Sequence, residues 1–91
     1  METYRGPATL ILDSGAELAV GTDLVHRSDW GGLITLAGAD WDAIANHDRG
    51  RLRLPSGSEG DFVRPNPAEM PPAPAQAPFR IRILGSGDCP F

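Results

Sequence analysis

The segment FRIRIL at residues 79–84 decides the fold, because its apolar and charged residues alternate strictly. Phe79, Ile81 and Ile83 fall on one face of a strand, and the two arginines fall on the other face. The segment follows a Pro-rich loop, residues 64–78, in which six of fifteen residues are proline and which cannot join a central strand. Because this regular strand follows so irregular a loop, it must pair with strands from earlier in the chain. We therefore expect it to be the last strand of the sheet and to close the fold.

Two strands near the start of the chain are predicted to form a hairpin. Residues 8–13, ATLILD, are a short β-prone run that ends at the turn signal Ser14-Gly15. The β-prone pattern resumes over residues 17–25, and its spacing breaks at Gly21, which predicts a bend or bulge inside the second strand. The short turn between the two runs predicts antiparallel pairing.

The middle of the chain combines a third strand with one helical segment. Two adjacent glycines lead into LITL at residues 33–36, and they predict a close backbone approach or a strong twist where this strand begins. Residues 40–47 carry the helical pattern, with Asp40 as N-cap. A helix this short is marginal alone in water, so we expect Trp41 to anchor it to one end of a barrel.

Two further strands are predicted around a Pro-Ser-Gly turn, since residues 51–54 alternate strictly and residues 59–64 contain Phe62 and Val63. Taken together, these segments predict about six short strands and one short helix. This pattern predicts an all-β fold, either a small antiparallel barrel or a rolled sheet. We expect residues 1–91 to form a single small β domain, because a chain of 91 residues cannot build a second core.

The core is predicted from the apolar residues of these strands. Its members are Leu10, Leu12, Leu18, Val20, Leu33, Leu36, Leu52, Leu54, Phe62, Phe79, Ile81 and Ile83. A core of this size is marginal for the domain, so we expect a homodimer formed through an edge strand.

The chain is acidic overall, with 12 acidic against 8 basic residues, a net charge of −4 and a pI near 4.9. It contains arginine but no lysine, and with its Gly, Ala, Pro and Asp content this indicates a high-GC bacterial genome. Nucleic-acid binding normally requires a basic face. Arg49, Arg51 and Arg53 would join Arg80 and Arg82 in such a patch only if their two strands paired, so the sequence argues against a nucleic-acid partner.

Targeting and redox features predict a cytoplasmic protein. The longest apolar runs are about four residues, too short to cross a membrane. The first residues lack a basic segment followed by an apolar stretch, so no secretory signal is expected. A single cysteine, Cys89, excludes an intramolecular disulfide and fits a reducing compartment.

Reactive side chains are few and scattered, so we expect no enzymatic activity, no metal site and no cofactor. His26 and His47 lie on different predicted elements, and neither has a second ligand at the spacing of a metal site. Cys89 has no cationic neighbour to activate it as a nucleophile. The Gly85-x-Gly87 pair follows a strand, but no helix follows it to complete a phosphate-binding loop.

Two tryptophans and two arginines form the candidate ligand-binding site. Trp30 and Trp41 can frame a pocket or a partner surface, although tryptophans in small domains are more often core residues. Together with Arg80 and Arg82 they would line a site for an aromatic or anionic ligand. The Pro-rich loop offers a P-x-P run at residues 72–74 that a partner could bind, but an inert insertion is the simpler interpretation.

Three short motifs resemble a known small domain. The motifs are YRGPATL at residues 4–10 before the predicted hairpin, Trp30-x-Gly32, and the C-terminal pattern G-x-G-x-x-P-F at residues 85–91. They are similar to an uncharacterised domain of high-GC actinobacteria, which occurs alone or appended to flavin-dependent monooxygenases. This chain departs from that pattern in its longer loop and in Asp88-Cys89. The resemblance implies a compact all-β accessory module, and that family has no assigned catalytic residues to transfer.

Two functions are therefore expected from the sequence. The first is a non-enzymatic accessory or protein-interaction module that associates with itself. The alternative is a small-molecule binding protein associated with an oxidoreductase, with the two tryptophans and two arginines around an aromatic or anionic ligand.

Overall fold

Six antiparallel strands close into a barrel in the computed structural model, which describes residues 2–45, 47–65 and 77–91. The strands are β1 Glu2–Ile11, β2 Glu17–His26, β3 Trp30–Leu36, β4 Arg49–Arg53, β5 Glu59–Val63 and β6 Phe79–Gly85. A 3-10 turn at Gly38–Asp40 and the helix α1 at Trp41–Ile44 connect β3 to β4. No helix in the described residues is long and apolar enough to cross a membrane.

The strand order around the barrel is β1-β2-β3-β6-β5-β4. The last strand, β6, lies between β3 and β5, and β1 pairs with both β2 and β4. This arrangement confirms the predicted all-β antiparallel fold with one short helix, and the alternating segment at residues 79–84 does complete the sheet.

The turns after β1 and β4 share one geometry. In each, the backbone N–H of a glycine donates to a leucine carbonyl three residues earlier, from Gly15 to Leu12 at 2.8 Å and from Gly57 to Leu54 at 2.9 Å. Both glycines have φ near +90°, where a side chain would be strained. The predicted turns at residues 13–15 and 55–57 are therefore present.

Apolar residues from every strand and from α1 fill the barrel. The buried cluster consists of Ala8, Leu10, Leu12, Val20, Leu24, Trp30, Ile34, Leu36, Ile44, Leu52, Leu54, Phe62, Ile81 and Ile83. Leu18 and Phe79 are half-buried against it. The prediction of Leu33 as a core residue is wrong, because strand residues alternate between faces and the buried Ile34 and Leu36 occupy the inner face of β3.

Three local predictions also differ from the structure. β1 starts at Glu2 rather than near residue 8, because it pairs along its whole length with β2. The ladder between β1 and β2 runs through Gly21 without a bulge. Asp40 makes no side-chain capping bond to α1, since the preceding 3-10 turn already holds it in helical φ and ψ, whereas an N-cap residue has extended backbone.

The start of the predicted Pro-rich loop is part of the folded structure. Arg64 is buried, and one of its guanidinium nitrogens, Nη1, donates to the carbonyl oxygens of Ile44 at 2.8 Å and His47 at 3.0 Å. A cation at these carbonyls holds the end of α1 against the barrel. The loop prediction for residues 66–76 lies outside the described residues.

Candidate functional site

The structure does not bring the four predicted ligand-binding residues together. Trp30 is buried at the start of β3, with its side chain 3% exposed, and Trp41 lies beyond the other end of that strand. The six residue steps of β3 separate these ends by about 20 Å. Arg80 and Arg82 lie on the outside of β6, on the opposite face from its buried isoleucines.

Trp30 closes one end of the barrel from inside. Its indole N–H donates to the carbonyl of Gly87 at 3.2 Å. The ring lies over Gly60 and Gly85, and a Cβ on either glycine would collide with it. Trp30 is therefore a core residue whose polar atom is satisfied by the chain, as buried indoles require.

The C-terminal segment covers the same end. The Ser86 N–H donates to the carbonyl of Asp61 at 2.9 Å, and Pro90 is buried beside Gly60. The ring of Phe91 lies 6.2 Å from those of Tyr4 and His26, measured between centroids. Protein side chains thus occupy the space around Trp30 where the ligand was predicted.

Trp41 has a structural role at the other end of the barrel. Its ring meets that of Phe79 edge to face, with centroids 5.3 Å apart. Because Phe79 pairs with Leu36 at the end of β3, this contact attaches α1 to the sheet. The predicted anchoring of the helix by Trp41 is confirmed.

The arginines of β4 face acidic partners rather than a ligand. Arg51 binds Asp61 at 3.0 Å and Glu59 at 3.3 Å, and Arg53 binds Glu17 at 2.6 Å. The hydrogen bond to Asp61 and the charge of that carboxylate, followed by the same two effects of Glu59, raise the pKa of Arg51 above its ordinary value. These exposed pairs stabilise the fold weakly, but they neutralise this surface.

The five-arginine patch that would recognise nucleic acid does not form by strand pairing. β5 lies between β4 and β6 in the barrel, so Arg49, Arg51 and Arg53 do not face Arg80 and Arg82 across a shared ladder.

A different surface becomes apparent outside β2, β3 and β6, which lie side by side. The register places their outward residues in three rows across the strands. From β2 through β3 to β6, these rows are Val25–Gly31–Leu84, Asp23–Leu33–Arg82 and Gly21–Thr35–Arg80. We call these nine residues the outer face.

The apolar part of the outer face is unusual for this barrel. Val25, Leu33 and Leu84 are the three large hydrophobic residues found exposed in the described chain, at 39%, 38% and 44%. Scattered exposed leucines need no explanation, but here all three lie in adjacent rows of one surface. Gly31 lies between Val25 and Leu84 and is itself buried, and a Cβ there would approach the carbonyl oxygen of Ile83 to 2.6 Å, so β3 and β6 lie close together in this row.

The charged part of the outer face also differs from the β4 surface. Within residues 2–45, 47–65 and 77–91, Arg80 and Arg82 form no ion pair, while Asp23 pairs with the exposed Arg5 at 3.2 Å. Two guanidinium groups without an acidic partner in the described part of the chain therefore adjoin three exposed aliphatic side chains. This combination is typical of a protein-binding surface, with an apolar centre and a charged rim.

A shallow groove crosses one edge of the outer face. It has a volume of about 480 Å³ and lies over Gly21, with Asp23, Leu33 and Arg80 among its lining residues. The groove exists because glycine leaves a gap in the outward layer of β2. It can accept one long side chain.

The described residues contain no group of three or more His, Cys, Asp or Glu side chains that could hold a metal ion. His26 packs on Phe91, and the Cys89 thiol lies 3.2 Å from the Phe91 carbonyl oxygen. Neither side chain is part of a nucleophile–base pair in the hydrogen bonds of the described chain.

Comparison with protein-family models, with curated proteins and with solved structures gives no match for this chain. The similarity to the actinobacterial domain stays a prediction, based on the motifs at residues 4–10, 30–32 and 85–91.

Proposed function

We propose that this protein is a non-enzymatic interaction module of the cytoplasm that binds a protein partner through its outer face. The observation that carries the proposal is the clustering of Val25, Leu33 and Leu84 beside Arg80 and Arg82, which form no ion pair with the described residues. Burial of exposed aliphatic surface favours association by about 25 cal/mol per Å². The two arginines would fix the orientation of the bound partner, because guanidinium groups bind carboxylates in a fixed geometry.

The exposed side chains favour a face rather than an edge as the interface. Dimerisation through an edge strand, which the sequence suggests, requires a row of unpaired backbone groups. Every strand here has a neighbour on each side, but β1 pairs with β4 only at residues 9–11 and β6 pairs with β5 only at residues 84–85, so short stretches of strand edge remain among the described strands. Self-association through the side chains of the outer face does not require these edges, and it is the route that we propose.

The alternative function, a binding protein for an aromatic or anionic small molecule, loses its main support. It requires an aromatic frame around Arg80 and Arg82, but Trp30 is enclosed and Trp41 packs on Phe79 at the other end of β3. A thermal-shift screen with flavins, nucleotides and acidic metabolites remains the direct check of this alternative.

Site-specific photocrosslinking tests the proposed function. The photoreactive residue p-benzoylphenylalanine is placed at Thr35, the half-buried central residue of the third row, and in a matched variant at the exposed Ser58 in the β4–β5 turn. Irradiation of growing cells and of the purified protein is expected to give crosslinked products from Thr35 and none above background from Ser58. Equal yields at both positions, or none at Thr35, would contradict the proposal.

A further inference from the structure

We infer that the occupant of the outer face is a second copy of this chain, related by a two-fold axis that runs along β3. The inference rests on the proposed function and names its partner. It follows from the order of residues in the three rows, which makes the outer face complementary to itself.

The rows become complementary when they are reversed. Two faces that meet around an axis along β3 place β2 of one copy over β6 of the other, while the two β3 strands face each other. The row Asp23–Leu33–Arg82 then meets its own reverse. Asp23 faces the partner's Arg82 on both sides of the axis, and Leu33 packs on the partner's Leu33.

The other two rows fit in the same arrangement. In the first row Val25 covers the partner's Leu84, and Gly31 has no side chain that would hold the two β3 strands apart. In the third row the long side chain of Arg80 lies over the partner's Gly21, at the groove of about 480 Å³. Asp23 lines this groove and shares its carboxylate there with Arg5, its partner at 3.2 Å. The central row therefore supplies the charge complementarity, and the first row supplies the apolar contact.

A two-fold axis across the strands is excluded by the same rows. It would place Asp23 on the partner's Asp23 and Arg82 on the partner's Arg82, so like charges would meet at both ends of the central row. Like-charge contacts at an interface oppose association. A heterologous partner has no such requirement for matched rows, so the internal symmetry points to a second copy.

The dimer is expected to be weak. Three strands about 4.8 Å apart and five residues at about 3.3 Å per step give a planar footprint of about 240 Å². Stable complexes bury about 800 Å² per partner, so we expect a dissociation constant on the order of 100 µM. Self-association is therefore concentration-dependent.

Charge exchange between two variants tests this arrangement. Asp23→Arg places arginine against the partner's Arg82, and Arg82→Asp places aspartate against the partner's Asp23. Each variant alone is expected to dimerise at least tenfold more weakly than the natural chain in sedimentation equilibrium. An equimolar mixture is expected to recover the dimer, because both ion pairs form again in the heterodimer.

Two controls and two contrary outcomes complete the test. Asp13→Arg, which makes the same charge change in the exposed β1–β2 turn, should leave dimerisation unchanged, and circular dichroism should show native folding in all variants.

A natural chain that sediments as a monomer up to about 1 mM would overturn the inference. So would a mixture no more dimeric than its components. If Thr35 nevertheless crosslinks to a different protein, the proposed function stands and only the second copy is wrong.

Discussion

Replacing Trp30 by alanine is expected to lower the free energy of unfolding by about 3–5 kcal/mol, because it removes the largest side chain at one end of the core. The cavity cannot collapse easily, since Gly60 and Gly85 offer no side chains to fill it. A domain of 91 residues has only about 5–13 kcal/mol in total. Thermal and urea unfolding followed by circular dichroism should show a melting temperature at least about 15 °C lower.

Two matched variants separate the contributions of this side chain. Trp30→Phe keeps most of the apolar volume but removes the N–H that binds Gly87, so a loss of about 1–2 kcal/mol is expected. Trp41→Ala removes a half-buried ring at the opposite end and should cost about 1–2 kcal/mol. Equal losses for Trp30→Ala and Trp41→Ala would contradict the different roles assigned to the two tryptophans.

Replacing Gly32 by alanine should be the second most damaging change. A Cβ at Gly32 would overlap the backbone carbonyl oxygen of Asp23, and the residue has φ +148°, which side chains rarely adopt. Because the obstacle is backbone on the paired strand β2, no rotamer change relieves it. We expect a loss of about 2–4 kcal/mol in the free energy of unfolding, measured by urea titration.

Gly87 provides the control for this substitution. A Cβ there meets nothing within 4 Å, and its φ is not positive, so Gly87→Ala should change stability by less than about 0.5 kcal/mol. A Gly32→Ala protein as stable as Gly87→Ala would show that β2 and β3 are not packed this closely.

Local patterning accounts for the part of the fold that the sequence predicts. The alternation at residues 79–84 requires a half-buried strand, and Gly15 and Gly57 supply the backbone conformations that the two hairpin turns need. These signals depend on neighbouring residues alone. The antiparallel fold and its turns are therefore readable without knowledge of distant contacts.

The inner and outer faces of β3 show where a local count of apolar residues fails. Leu33 and Leu36 are both apolar but three residues apart, so they cannot share one face of a strand. Ile34 and Leu36 share the inner face, and Leu33 points outward. Strict use of the two-residue period would have assigned Ile34 to the core and Leu33 to the surface.

The candidate site could not be predicted because it depends on which strands become neighbours. Asp23, Leu33 and Arg82 form one row only because β6 inserts beside β3, and nothing local to residues 79–84 specifies that neighbour. The enclosed position of Trp30 could not be predicted for the same reason. Its contact with Gly85 joins residues far apart in the chain, and local composition does not reveal such a contact.

Chemical-shift mapping by NMR shows directly whether the outer face is the interaction surface and whether a second copy binds it. Spectra of ¹⁵N-labelled protein are compared between about 20 µM and 1 mM, a range that spans the expected dissociation constant. A dimer through the outer face predicts concentration-dependent shifts at Asp23, Leu33, Thr35, Arg82 and Leu84, with the β4 residues 49–53 unchanged. Identical spectra at both concentrations, or shifts centred on β4, would contradict it.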